Sequence, residues 1–225
     1  MAASMQSGST VGQQYLLLAD ISGYTTFVVG VEEAHGVDFS DGIPPGYELL
    51  GALLDSVMEG VKPAFTVDKL EGDAVFATAP IDALDGRGDA LLDQLQAVYR
   101  SFVMRRTDAI PKENHVCAAC SVVGSLDLKM VIHRGQVVRQ TVGSHSELLG
   151  PAVNVAHRLL KNDIQARIGR RPYLFMSGAA VDGLGVPNAG IEHSESYADV
   201  GTVVGRVVGL GGQLTEEESL SLRAG

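Results

Sequence analysis

Along the chain, apolar positions fall into short runs and helical stripes separated by glycine-, proline- and acid-rich joints. Tyr15-Leu-Leu-Leu-Ala19 is an uninterrupted apolar run and reads as a buried strand. It ends in a polar turn, Asp20-Ile-Ser-Gly23, after which Thr26 onward can start a short helix. Residues 35–45 carry the Gly/Pro content of a loop. From Gly46 to Gly60, the positions Leu49, Leu50, Leu53, Leu54, Val57 and Met58 form a helical stripe. Ala64–Leu70 and Ala74–Thr78 read as strands joined by a tight turn at Glu71-Gly72-Asp73. Residues 87–106 return to helical spacing, with Leu91, Leu95, Val98 and Phe102 on one face. Beyond a loop at residues 111–120, Leu126–His133 and Gln136–Val142 read as a second hairpin turning at Arg134-Gly135. A helix over Asn154–Asn162 follows, then a strand at Pro172–Met176 and a short helix at Ser177–Leu184. Glu192–Tyr197 and Thr202–Val208 form a final strand pair. The order βααββαββαβαββ predicts an α+β fold, a mixed or antiparallel sheet backed by helices on one face.

At 225 residues the chain fits one domain of about 100–200 residues with short appended arms. Residues 1–12 are small and polar and read as a disordered leader; 13–211 form the domain, and 212–225 a polar C-terminal tail. No apolar run is long enough to span a bilayer, and the leader lacks the basic and apolar regions of a secretion signal, so the expected location is cytoplasmic with no membrane partner. A formal net charge of −10 argues against nucleic acid as a partner. An acidic protein can still bind a nucleotide when its carboxylates first recruit divalent cations.

Two carboxylates sit where such recruitment is natural: Asp20 at the end of an apolar strand and Asp73 in a hairpin turn. A pair of hard oxygen ligands on adjacent strands suits Mg²⁺ or Mn²⁺, which take their remaining ligands from water and substrate phosphates. Taken singly, each aspartate reads more readily as a turn former. The ordered set of motifs is more specific. Leu18-Ala-Asp-Ile-Ser-Gly-Tyr-Thr25, Lys69-Leu-Glu-Gly-Asp73, Ile132-His-Arg-Gly-Gln-Val-Val138 and Gly150-Pro-Ala-Val-Asn-Val-Ala-His-Arg158 together resemble, in order, class III adenylate/guanylate cyclase catalytic domains. The resemblance covers about residues 15–165, with a weaker echo to about 210.

The resemblance implies a ferredoxin-like class III nucleotide cyclase fold over 13–211. It implies Asp20 and Asp73 as ligands of two Mg²⁺ or Mn²⁺ ions, with Ile21, Ser22 and Gly23 offering backbone groups to a triphosphate. Lys69 matches the residue that reads the purine edge, where lysine suits adenine and guanylate cyclases carry glutamate; Glu147 matches the acidic partner of the adenine amino group. Asn154 and Arg158 match the pair that positions ribose and stabilises charge on the transferred phosphoryl group. The implied partners are ATP and a second copy of the chain, because in such enzymes the base-reading and metal-binding halves come from different subunits. The implied reaction is ATP to 3′,5′-cyclic AMP and pyrophosphate. Read without the resemblance, Lys69 and Glu147 form a surface charge pair, and Asn154 and Arg158 the solvated face of a helix.

The chain departs from that pattern in two places. A lysine that grips the terminal phosphates is replaced by Val200, with Arg206 or Arg139 as substitutes, and the stretch from Gly135 to Glu147 is short. This keeps open a nucleotide-binding or interaction module without turnover, and a cyclase of different base preference. His115, Cys117 and Cys120 place three soft ligands within six residues; with Leu126–His133 they are similar to a bacterial cyclase-like family of uncharacterised function. They form a candidate zinc set, the alternative being cysteines packed as small hydrophobes. His133 reads as structural, and His145 and His157 as surface residues.

Overall fold

The computed structural model describes residues 9–35, 40, 43, 45–109, 123–169 and 172–223. Strand β1 (Thr10–Ser22) is the axis of the molecule. It pairs antiparallel with β3 (Ala74–Pro80) on one side and with β4 (Asp127–Val142) on the other. β2 (Thr66–Glu71) closes one edge against β3. β6 (Tyr173–Ser177) joins β4 in parallel, and β8 (Gly201–Gly209) and β7 (Ile191–Tyr197) extend the other edge. β5 (His145–Leu149) folds back on β4, giving an eight-stranded mixed sheet of order β2-β3-β1-β4-β6-β8-β7. The α+β class with a mixed sheet is as the sequence predicts.

Helices α1 (Tyr24–His35), α2 (Pro45–Val61), α3 (Ile81–Leu84) and α4 (Gly88–Asp108) follow the early strands. α5 (Pro151–Leu159), α6 (Ile164–Ile168), α7 (Gly178–Leu184) and α8 (Glu216–Arg223) follow the later ones. They cover both faces of the sheet, not one. The cause lies in β1: Tyr15 through Ala19 are all buried, and side chains alternate along a strand, so each face of the run must be covered. Tyr15, Leu17, Ala19 and Ile21 pack with Leu53, Val57, Leu95, Phe102 and Leu184 from α2, α4 and α7. Leu16 and Leu18 face the other way, onto Phe76, Val131 and Phe175, beneath Ala156 of α5, Ile164 of α6 and Leu222 of α8. Burying each such leucine stabilises the fold by about 1.5–3 kcal/mol.

The hairpin expected at Arg134-Gly135 does not exist. β4 runs straight through both residues, paired with β1 from Ser22↔Asp127 to Thr10↔Arg139. Gly135 serves close approach instead of a turn. A Cβ there would lie 2.7 Å from the Cβ of Ala152, so its absence lets α5 settle on the strand. The turn falls at Gly143-Ser144, where Gly143 takes φ of 63° and Val142 pairs with His145. Two boundaries also differ from expectation. Thr10–Gly12, assigned to the leader, already belong to β1. The segment read as a tail carries α8, whose Leu222 is buried.

A buried polar cluster holds α6, β7 and α8 together. His193 of β7 is 2% exposed; its Nε2 lies 2.8 Å from Glu195 Oε1 and its Nδ1 3.2 Å from the Leu222 carbonyl. Asp163, just before α6, adds an oxygen 3.7 Å from Nε2, and Arg167 binds the same carboxylate. Both ring nitrogens of His193 thus face acceptor-only groups, an arrangement satisfied by the imidazolium form. Burial pulls the His193 pKa down, but Glu195, the Leu222 carbonyl and Asp163 outweigh it, and the net direction is up.

Candidate functional site

Asp20 sits near the C-terminal end of β1, between Ala74 on β3 and Lys129 on β4. The ammonium of Lys129 lies 3.0 Å from Asp20 Oδ2. Asp73 follows Gly72, which takes φ of 65°, and its carbonyl accepts a hydrogen bond from Ile21 N–H at 3.1 Å. That bond pins the β2–β3 turn to the end of β1. Both aspartates line one cavity of about 340 Å³, with Ile21, Ser22, Gly23 and Lys129. Burial raises the Asp73 pKa, and the neighbouring Asp20 charge raises it further, with Lys129 opposing. Two carboxylates facing one ammonium leave excess negative charge, and this hard-oxygen set fits a divalent cation.

The start of α1 also lines the cavity. Gly23 has φ of 88°, and a Cβ there would come within 2.8 Å of the Ser125 carbonyl. The first helical bond runs from Phe27 N–H to the Gly23 carbonyl, so the amides of Tyr24, Thr25 and Thr26 precede the helix's own ladder. All three residues line the cavity. Free amides at the positive end of a helix favour an anion such as phosphate. Cation ligands and anion donors therefore share one space.

The remaining expected residues lie outside it. Lys69 and Glu147, 78 positions apart in the chain, meet at 3.5 Å on the exposed side of β2 and β5. Asn154 and Arg158 are exposed on α5, one turn apart. Arg158 is held by Asp199 in the β7–β8 turn through Nε at 2.8 Å and Nη2 at 2.6 Å. This pairing lowers the Asp199 pKa. The two proposed substitutes for the lysine absent at Val200 are engaged elsewhere: Arg139 with Asp68 at 2.6 Å and Thr78 at 3.3 Å, Arg206 with Glu192 at 3.9 Å. Neither lines the cavity. His133 bonds Ser177 Oγ at 2.8 Å, and burial pushes its pKa down to about 4, so it is a neutral structural residue at pH 7. His145 is exposed as expected, whereas His157 is half-buried against Phe76. His115, Cys117 and Cys120 lie outside the described residues.

Sequence reasoning overlooked Lys129, Asp127 and Gln165, which also line the cavity. Gln165 donates to Ser22 Oγ at 3.1 Å. The signal for Lys129 was a single charge interrupting the apolar run Leu128–Ile132 on the face opposite Leu128 and Met130. Gln165 reaches the cavity from α6, which no local pattern links to β1.

Among known proteins, the chain is 33% identical over 129 residues to an uncharacterized protein of Mycobacterium tuberculosis (strain ATCC 25618 / H37Rv), an alignment covering 57% of each. The chain thus spans somewhat over half the length of that relative. Solved structures of similar shape include a bacterial light-regulated adenylyl cyclase, at TM-score 0.65 and 16% identity, covering 99% of this chain and 58% of that one. The adenylyl cyclase CyaB from P. aeruginosa matches at TM-score 0.60 and 16% identity, covering 89% and 95%. A class III adenylyl cyclase-like ATP-binding protein from Pseudomonas aeruginosa matches at TM-score 0.52 and 14% identity, covering 78% and 35%. At these identities the likeness establishes a cyclase-like fold and no more. Among the described residues no helix is long and apolar enough to cross a membrane. The family described as "Protein of unknown function (DUF2652)" matches residues 50–167, and with more than half of its length in that match the chain belongs to this family.

Proposed function

We propose that the chain is a homodimeric nucleotide cyclase domain that converts ATP to 3′,5′-cyclic AMP and pyrophosphate, with two Mg²⁺ or Mn²⁺ ions bound by Asp20 and Asp73. The observation that carries this reading is the shared cavity, in which two carboxylates face the amide-rich start of α1 and the Lys129 ammonium. Divalent ions bound there would lower the pKa of the ribose 3′-hydroxyl and neutralise phosphate charge. The amides of Tyr24, Thr25 and Thr26 and the Lys129 ammonium would grip the phosphate oxygens. Lys69 would donate to adenine N1, and Glu147 would accept from the exocyclic amino group. Asn154 would orient the ribose, and Arg158, released from Asp199, would steady the transferred phosphoryl group. Lys69, Glu147, Asn154 and Arg158 stand outside the cavity of their own chain. A second copy presenting them across an interface would complete two sites.

A second reading, a nucleotide-binding module without turnover, is favoured by one specific contact. Arg158 is already paired with Asp199, beside the Val200 position that lacks a phosphate-gripping lysine. The two readings separate in one assay: purified protein with ATP and Mn²⁺, followed for cyclic AMP, beside an Asp73→Ala variant. Product that disappears in the variant supports the cyclase. Absence of any cyclic product from ATP, GTP, CTP and UTP overturns it, and nucleotide binding that persists then favours the module.

A further inference from the structure

Lys69 does not face Glu147 alone. Glu71, two residues along β2 and therefore on the same face of the strand, places Oε1 3.1 Å from the Lys69 ammonium, closer than Glu147 at 3.5 Å. The Lys69 pKa is raised first by its hydrogen bond to Glu71, against the effect of burial, and then by the charges of Glu71 and Glu147. The other oxygen of Glu71 lies 3.5 Å from His157 Nδ1 on α5. His157 leans on Phe76 at 5.5 Å between ring centroids, and Lys69 sits 5.9 Å over the same ring. One carboxylate is thus oriented from behind by a histidine, beside an aromatic face, with the ammonium between it and a second carboxylate.

The order of groups is acceptor, donor, acceptor. Adenine offers a donor at N6 and an acceptor at N1, and needs only Lys69 and one carboxylate. Guanine offers an acceptor at O6 and two adjacent donors, N1–H and N2–H₂, which a carboxylate can take in bidentate fashion. Resting on the nucleotide-binding reading of this site, we propose that Glu71 is a base-specificity residue that admits guanine, making the site purine-accepting and not adenine-selective. Lys69 would serve either base, with Glu147 completing adenine recognition and Glu71 completing that of guanine. His157 is a positioning residue that fixes the Glu71 carboxylate.

The test is equilibrium binding of fluorescent ATP and GTP analogues with Mn²⁺ to the full chain, alongside turnover of both triphosphates. Wild type is expected to bind both purines. Glu71→Leu is expected to lose GTP affinity by roughly ten- to a hundred-fold, the discrimination carried by one bidentate pair, while ATP affinity stays within about three-fold of wild type, well inside that discrimination. Glu71→Gln, which keeps shape and one acceptor, is expected to fall between them, and His157→Gln to shift the GTP to ATP ratio in the same direction. Equal loss of both nucleotides in Glu71→Leu would make Glu71 only a support for Lys69 and would overturn the proposal. An unchanged ratio would do so too. If wild type binds neither purine triphosphate, the nucleotide-binding reading falls first and this inference with it, an outcome distinct from purine binding that ignores Glu71. Matching far-UV spectra of the variants would separate a lost contact from a lost fold.

Discussion

Replacing His193 with alanine removes the imidazolium from a buried cluster and leaves the Glu195 carboxylate, 8% exposed, without its 2.8 Å partner, while the Asp163 N–H at 3.2 Å stays in place. Breaking a buried ion pair by deleting one partner costs about 3–5 kcal/mol, because the remaining charge stays desolvated. For a domain of this size, about 2–4 °C of melting temperature accompanies each kcal/mol, so a fall of roughly 6–20 °C is expected. The chain has no tryptophan, so urea and thermal unfolding are best followed by circular dichroism. The pH dependence supplies a second readout. The folded pKa of His193 is raised above its ordinary 6.5, so the folded state holds a proton that the unfolded state gives up. Its contribution is full below about pH 6.5 and is lost as pH rises through the folded value. Asp163 also faces it, and the two carboxylate partners of His193 interact in turn with Arg167 of α6, Tyr197 of β7 and Tyr173 of β6. Tyr197 and Tyr173 have raised pKa values and are neutral across this window, Arg167 stays charged, and the lowered Asp163 pKa acts only at acid pH. Wild type should lose stability from pH 6 to 8 while His193→Ala loses that slope. A variant within about 1 kcal/mol of wild type, or a wild-type curve flat over this range, would refute the imidazolium assignment.

Three further outcomes follow from the geometry. Gly135→Val should destabilise by about 1–3 kcal/mol or more through overpacking against Ala152, measured by urea unfolding, and a neutral result would mean that α5 is not seated on β4 as described. Leu17→Ala, at a fully buried position in β1, should cost about 2–5 kcal/mol by the same measurement. Lys129→Gln should weaken triphosphate binding roughly ten-fold or more, since a hydrogen bond to a charged group is worth about 1.5–3 kcal/mol, read by titration with a fluorescent ATP analogue; unchanged affinity would remove Lys129 from phosphate binding.

The metal-ligand candidates were legible because each is fixed by local chain geometry: Asp20 by the end of an apolar strand, Asp73 by a glycine turn. The neighbourhood of Lys69 and Glu147 was legible only through resemblance, as no periodicity links positions 78 apart. Gly135 shows why the second hairpin was misplaced. Glycine marks both turns and close approaches, and only the arrival of Ala152 tells them apart. α8 was hidden for a related reason. Its apolar content is Leu220 and Leu222, too little to form a stripe, and Leu222 is buried because β7 and α6 come to it. Helices on the second face of the sheet could have been inferred from Tyr15–Ala19 alone, since a strand buried at every position has no solvent side.

The unbroken length of β4 makes it a ruler. Its 16 residues span about 50 Å at roughly 3.3 Å each, and along that length lie Asp127 and Lys129 at the cavity and Gln140 opposite Glu147. Both ends are graduated by the same pleat, so inserting or deleting one residue between them would turn one end over relative to the other. Either Lys129 would leave the cavity or Glu147 would part from Lys69. Variation in this segment should therefore come as substitutions or as changes in steps of two residues, and the β4–β5 turn is the place where length can change freely.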